Sequence, residues 1–345
     1  MKTIHVLFLL LIAVGGQALE AQKIVALHTA SGVQFFSDDN PLQSAYAAAV
    51  DNDTIYLPGG SFAPPSNFEK KLRIIGVGHN PAATTATFQT IISGDIYLRD
   101  QADGFYLEGV KISGNLYFYS NESINDILIK RCKMNGLNIN GDQTNPSENC
   151  VFQENIIGGM DTRNLLNSVF FNNIIQNTIN EARNLTFFNN LFMHIDCSGY
   201  IYTPTIGYAN NCLLKNNIFL QGSCGNVVGG SGQSTYSHNI FCTNLNTIIL
   251  GLDPIVDNNY SMNRDDIFVN YTGGGFDYAQ DYHLTTAAQA NLGDDGTECG
   301  IYGGFYPWKD LSVPSTPHIS SKNISNTSDA NGMIHIDINV QAQDR

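Results

Sequence analysis

Between Asp103 and Cys242 the chain copies one short unit, and a repeat of this period leaves few folds open. The copies read Asn149-Cys-Val-Phe-Gln-Glu-Asn155-Ile, Asn167-Ser-Val-Phe-Phe-Asn-Asn173-Ile, Asn184-Leu-Thr-Phe-Phe-Asn-Asn190-Leu and Asn211-Cys-Leu-Leu-Lys-Asn-Asn217-Ile. A weaker copy ends at Asn239, and two earlier ones put Cys132 and Gly109 at the same reference position. The reference positions 109, 132, 155, 173, 190, 217 and 239 are spaced by 23, 23, 18, 17, 27 and 22 residues. The mean is about 22, a solenoid period in which each unit buries its apolar face only against its neighbours.

The units alternate with period two rather than with an i, i+3, i+4 stripe, so they are strands. Five residues before the reference stand Ile127, Cys150, Ser168, Leu185, Cys212 and Ser234. Three before it stand Tyr106, Ile129, Phe152, Phe170, Phe187, Leu214 and Tyr236. Both columns are expected to point inward. The next residue, Val110, Lys133, Ile156, Ile174, Leu191, Ile218 or Ile240, is expected to re-enter the core after a turn at the Asn, with Lys133 the exception. Asn suits that corner because it tolerates left-handed backbone and its amides can bond from coil to coil.

This aliphatic-x-aliphatic pattern closed by an Asn turn resembles the repeat of pectin-lyase-like proteins. The resemblance implies an all-β fold, a single-stranded right-handed parallel β-helix with coils of about 22 residues. It covers Asp103 to Cys242 well. Upstream, Pro41-Leu-Gln-Ser-Ala-Tyr-Ala-Ala-Ala-Val50 and Asp53-Thr-Ile-Tyr-Leu-Pro-Gly-Gly60 resemble the family's N-terminal cap, with Leu42, Ala45, Tyr46 and Ala49 spaced to seal the core with a helix. Downstream, Asp265 to Asn270, Asp281 to Leu284 and Asp294 to Gly304 resemble the closing segment of secreted bacterial members. The expected division is a signal peptide over 1–21, a capped β-helix over 22–310, and a linker with an end strand over 311–345.

The start supports export: Lys2 precedes the nine-residue apolar run Val6 to Val14 and the small-x-small pattern Gly16-Gln17-Ala18, too short to span a bilayer as a helix. A secreted, extracellular or periplasmic location is expected, with no membrane span. Charged residues are only 14%, the net charge is −14 with 17 Lys+Arg, and no basic patch is concentrated, which opposes nucleic acid as a partner. The seven Cys are an odd number, so at least one thiol has no partner within a monomer, the expected state. Cys197 and Cys224 each lie seven residues after a reference Asn of adjacent coils and are expected to form a disulfide.

Proteins of this fold include lyases, hydrolases and adhesins, so function must come from side chains on an outer face. Lys130, Arg131 and Lys133 beside Glu154 form the one basic cluster that a calcium-assisted uronate lyase would use, with Lys or Arg as base and Glu154 on the cation; an ion pair between coils exposed to solvent is the plainer reading. His194 and Asp196, in the longest repeat, have the makings of an acid–base pair, although neighbours on one strand often merely share a face. Phe171 and Phe188 fall in one outward column and are a candidate platform for a sugar ring, unless a terminal arm covers them. Asp294, Asp295 and Glu298 have the Asp/Gly character of a calcium loop without its spacing. The paired-Asp, Arg-rich and Asn-His signatures of the family's enzymes are missing. The leading expectation is an extracellular β-helix that presents a polar, amide-rich face to a polysaccharide or cell-surface glycan. The alternatives are a polysaccharide lyase and a structural adhesin.

Overall fold

A computed structural model describes residues 23–195, 203–221 and 226–342. The chain winds as a parallel β-solenoid of about nine coils of about 22 residues. One sheet stacks Thr54–Tyr56, Arg73–Ile75, Tyr106–Glu108, Leu128–Lys130, Val151–Gln153, Val169–Phe171, Thr186–Phe188, Leu213–Lys215, Thr235–Ser237 and Ile255–Asp257 in parallel. A second runs from Gly60–Phe62 through Lys133–Asn138 and Ile156–Asp161 to Tyr260–Ser261. Short strands such as Ala182–Arg183, Ile206–Asn210 and Val228–Ser231 build a third side.

Period-two alternation sets the core. Cys150, Phe152, Ser168, Phe170, Leu185, Phe187, Cys212 and Leu214 are buried, as expected of the two inward columns. Phe152, Phe170 and Phe187 stack along the axis at 4.6 and 4.9 Å between ring centres, and Phe192, Phe219 and Phe241 do so at 4.3 and 4.9 Å. Offset stacking at these spacings adds to the burial of each ring.

The corner between the two sheets works differently from the sequence expectation. The reference Asn side chains point inward and form a ladder. Asn173 Oδ1 accepts from the backbone N–H and Nδ2 of Asn155, Asn190 from those of Asn173, Asn217 from Asn190, Asn239 from Asn217 and Asn259 from Asn239, all at 2.8–3.0 Å. Each Nδ2 also reaches a strand carbonyl, as Asn190 does to Phe170 at 2.9 Å. The left-handed residue is the one before, namely Arg131, Glu154, Asn172, Asn189, Asn216 and His238, with φ of 48° to 58°. Asn149, Asn167, Asn184 and Asn211 are left-handed at the other end of the same strands. The Asn column therefore serves its neighbours' hydrogen bonds, and a side chain before it takes the turn.

Two register expectations change. Glu108 pairs with Lys130, so Val110 rather than Gly109 is equivalent to Cys132, and the inward residue of that strand is Leu107, not Tyr106. The residue after each Asn does not enter the core: Ile156, Ile174, Leu191, Ile218 and Ile240 belong to a separate outer cluster, while Ile157, Ile175, Phe192, Phe219 and Phe241 line the interior.

What buries those outer residues is the segment after the last rung. It lays Ile267, Phe268, Tyr282, Leu284, Cys299, Ile301 and Trp308 on them. The segment expected to close the end of the helix thus runs back along its side, through the antiparallel pair Phe268–Asn270 and Asp281–Leu284 and then a strap over 293–315. The final rung stays open, with Val256 of the inward column 58% exposed. At the other end, Gly32–Phe36 pairs antiparallel with Val25–Thr29, which pairs antiparallel with Thr54–Tyr56, and a helix over Pro41–Ala48 buries Leu42 and Ala45. The expected linker from 311 begins later, because Ser312 to Pro314 are buried and Ser315 N–H bonds Glu108 Oε1 at 3.0 Å. The tail then forms a two-stranded hairpin, His318–Ile324 with Ile336–Gln341, rather than one end strand. No helix among the described residues is long and apolar enough to cross a membrane. The signal peptide expected over residues 1–21 lies outside the described residues.

Candidate functional site

Register brings the outward side chains of successive rungs into one column, Glu108, Lys130, Gln153, Phe171, Phe188, Lys215 and Ser237. Beside it run the left-handed residues Arg131, Glu154, Asn172, Asn189, Asn216 and His238. Five candidates from the sequence, Lys130, Arg131, Glu154, Phe171 and Phe188, lie on these two columns, and the strap decides which of them meet solvent.

At the N-terminal end the strap closes the basic cluster off. Arg131 is fully buried, its Nε 2.8 Å from Glu154 Oε2, its Nη1 3.9 Å from Glu108 Oε1 and 3.1 Å from the Val313 carbonyl. Glu154 Oε1 also accepts from Gln153 Nε2 at 2.7 Å. The ion pair between coils is present, but it is buried rather than solvent-exposed. Burial first, and then the Arg131 charge, pushes the Lys130 ammonium below its usual value. Lys133 is explained by its column: it faces outward and lies over the Tyr278 and Phe276 rings, 4.8 and 5.4 Å from their centres. A polymer has no path to Arg131 or Glu154 while the strap is docked.

From the rung after Glu154 onward, the strap leaves a cleft of about 450 Å³. Phe171 and Phe188 are half-buried and stacked at 5.7 Å, and Tyr306 stands edge-on to Phe171 at 5.7 Å. Phe305 is 90% exposed at the rim. The terminal arm that could have hidden these two rings instead builds the opposite wall. Phe305 and Tyr306 were missed from the sequence, although the run Tyr302-Gly-Gly-Phe-Tyr-Pro-Trp308 carries four aromatics in seven residues, a density with no role in a rung.

The amides of this face are already engaged. Asn172 Nδ2 donates to the Ile301 and Gly303 carbonyls at 2.8 Å, Asn189 Nδ2 to Glu298 O at 3.4 Å, and Asn216 Nδ2 to Asp294 Oδ1 at 3.0 Å. They hold the strap, so a ligand would meet the Lys215–Asp294 pair, Asp295 and Tyr306 rather than free amides. Lys215 Nζ is 2.6 Å from Asp294 Oδ2. Partial burial raises the Asp294 pKa, but the hydrogen bonds from Lys215 and Asn216 outweigh it and hold the carboxyl below the usual range.

The three carboxylates read as a calcium loop do not converge. Asp294 binds Lys215 and Asn216, Asp295 accepts from its own loop at Thr297, and the Glu298 carboxyl is held above its usual pKa by burial. No cluster of three or more His, Cys, Asp or Glu that could hold a metal occurs among the described residues. His194 Nε2 lies 3.0 Å from the Thr203 carbonyl. Asp196, its expected partner, and both Cys197 and Cys224 lie outside the described residues.

Fold and cleft together define a parallel β-solenoid whose own C-terminal strap converts one outer column into an aromatic-walled groove. No protein-family model matches the chain, and no curated protein or solved structure does either.

Proposed function

We propose that the protein is an exported glycan-binding β-helix and that the cleft between Phe171, Phe188 and Tyr306 is its sugar site. The observation that carries this reading is the pair of outward, half-exposed, stacked rings facing two further aromatics across a solvent-open groove. The apolar face of a pyranose fits such rings, while the Lys215–Asp294 pair and Asp295 at the edge offer its hydroxyls a donor and acceptors. The cleft volume falls within the usual range for small-ligand sites. The lyase alternative finds less support, since its basic cluster lies under the strap.

The test is affinity electrophoresis and calorimetry of the mature chain against neutral and uronate polysaccharides, with release of unsaturated ends followed in parallel. Wild type is expected to be retained by at least one polymer, and Phe188→Ala to lose about tenfold in affinity, the equivalent of about 1.4 kcal/mol. Retention unchanged in both Phe171→Ala and Phe188→Ala, or no retention at all, would remove the cleft as the site. Unsaturated ends would make the protein a lyase instead.

A further inference from the structure

A second cavity, of about 230 Å³, opens where the Phe268–Leu284 hairpin meets the strap. Its apolar lining is the rings of Phe276, Tyr282 and Trp308, and its polar lining includes the carboxylates of Asp277, Asp281 and Asp310; no Lys or Arg lines it. Trp308 and Tyr282 are buried and fixed by packing, with Phe276 stacked on Tyr282 at 5.4 Å and edge-on to Trp308 at 6.5 Å. The cavity thus sets rigid rings beside three carboxylates, with His283 against Asp281 and Lys133 across Phe276 as the nearby basic groups.

The neighbouring ring faces already carry one cation of the chain. The ammonium of Lys133 already lies over Phe276 and Tyr278, so part of this ring cluster holds an alkylammonium contributed by the chain itself. The carboxylates are oriented as well. Asp281 Oδ1 accepts from His283 Nδ1 at 2.7 Å and from its backbone N–H at 3.0 Å, and His283 lies flat on Tyr302 at 3.9 Å. The Tyr302 hydroxyl donates to Asp310 Oδ1 at 2.5 Å. A hard divalent ion needs several oxygens converging within about 2.5 Å of it, and these carboxylates form no such cluster. A weakly hydrated organic cation needs only ring faces and carboxylates at longer range.

We propose that this cavity binds a primary ammonium group, carried by an amino sugar or by a lysine side chain. The site is separate from the Phe171–Phe188 cleft and does not depend on the reading of it.

Trp308 is the single Trp of the chain, so its emission reports on this cavity directly. Glucosamine and Nα-acetyl-lysine amide are titrated at neutral pH, with N-acetylglucosamine and diacetyl-lysine amide as uncharged counterparts and potassium chloride as the control for ionic strength. A saturable change with either amine, absent with the uncharged counterparts, is expected. It should weaken at least tenfold in Asp310→Asn and in Asp281→Asn, and persist in Phe188→Ala. Response to glucosamine alone identifies a glycan source, and response to the lysine probe alone a peptide source. No saturable response to either amine, an equal response to the uncharged probes, or full binding in both Asp variants overturns the proposal. Circular dichroism of each variant establishes that the fold is kept, and if one Asp variant does not fold the other decides.

Discussion

Arg131 occupies a left-handed corner, where most side chains are strained, and it is fully buried. Its position is held by Glu154, Glu108 and the Val313 carbonyl. Removing a buried charge leaves its partners uncompensated, so Arg131→Ala is expected to cost about 3–5 kcal/mol, read as a lower urea midpoint. A change below about 1 kcal/mol would mean that the pair is solvated, as surface pairs are. His79 gives a second test at this scale. Burial, reinforced by the Lys133 and Lys111 charges, pulls its pKa down to about 3, and its Nδ1 lies 2.8 Å from the Tyr278 hydroxyl. The folded pKa is below the unfolded one, so from about pH 6.5 down to about pH 3 the unfolded chain takes up a proton that the folded one refuses. Stability therefore falls with acidification across that window, by about 1.4 kcal/mol per pH unit from this group, and is unaffected by it above the window. His79→Gln should remove that part of the slope in denaturation curves taken between pH 6 and pH 4; parallel slopes for the two proteins would show that His79 is protonated in the fold.

Among the elements, the Asn ladder and the strap depend on the same side-chain type in different ways. From Asn155 to Asn239 every amide of the ladder is buried and bonded on both sides, so Asn190→Leu strands the Asn173 N–H and Nδ2 and the Phe170 carbonyl. A cost on the order of 3 kcal/mol is expected in denaturant unfolding, because buried groups without partners cost about 1–3 kcal/mol each. The strap instead hangs on the neighbouring column. Asn172→Ala frees the Ile301 and Gly303 carbonyls without touching the core, and should raise amide exchange across 293–315 while the rungs at 151–153 and 169–171 keep their protection. Equal loosening of rungs and strap would show that the two open as one unit.

Over the whole molecule, Cys132, Cys150, Cys242 and Cys299 are each pushed up to about 12 by burial, and Cys212 to about 11. Thiolates are the reactive form, so these five are expected to resist alkylation at pH 8 until the solenoid unfolds. Peptide mapping after brief iodoacetamide treatment checks this, and native labelling of Cys150 or Cys212 would mean that coils open locally. The same scale shows how much the sequence carried. The period, the strands and the inward Cys150 and Phe152 columns were legible, because period-two burial is a local property of each rung. The first copy of the repeat slipped by one residue because Gly109 sits where later copies have a left-handed side chain and Val110 where most of them have the Asn. Phe171 and Phe188 could be placed in one column, but not the wall opposite them. By itself the sequence determined a solenoid of about 22-residue coils and which side chains stack from rung to rung, since backbone sterics and alternating burial act within a few residues. Only the tertiary structure decided that Ile156 to Ile240 are buried on the outside, that Arg131 is sealed and that Phe171 faces Tyr306. Those contacts join residues of different repeats and, for Arg131 and Phe171, more than a hundred positions apart, where the path of the strap and not any period brings the groups together.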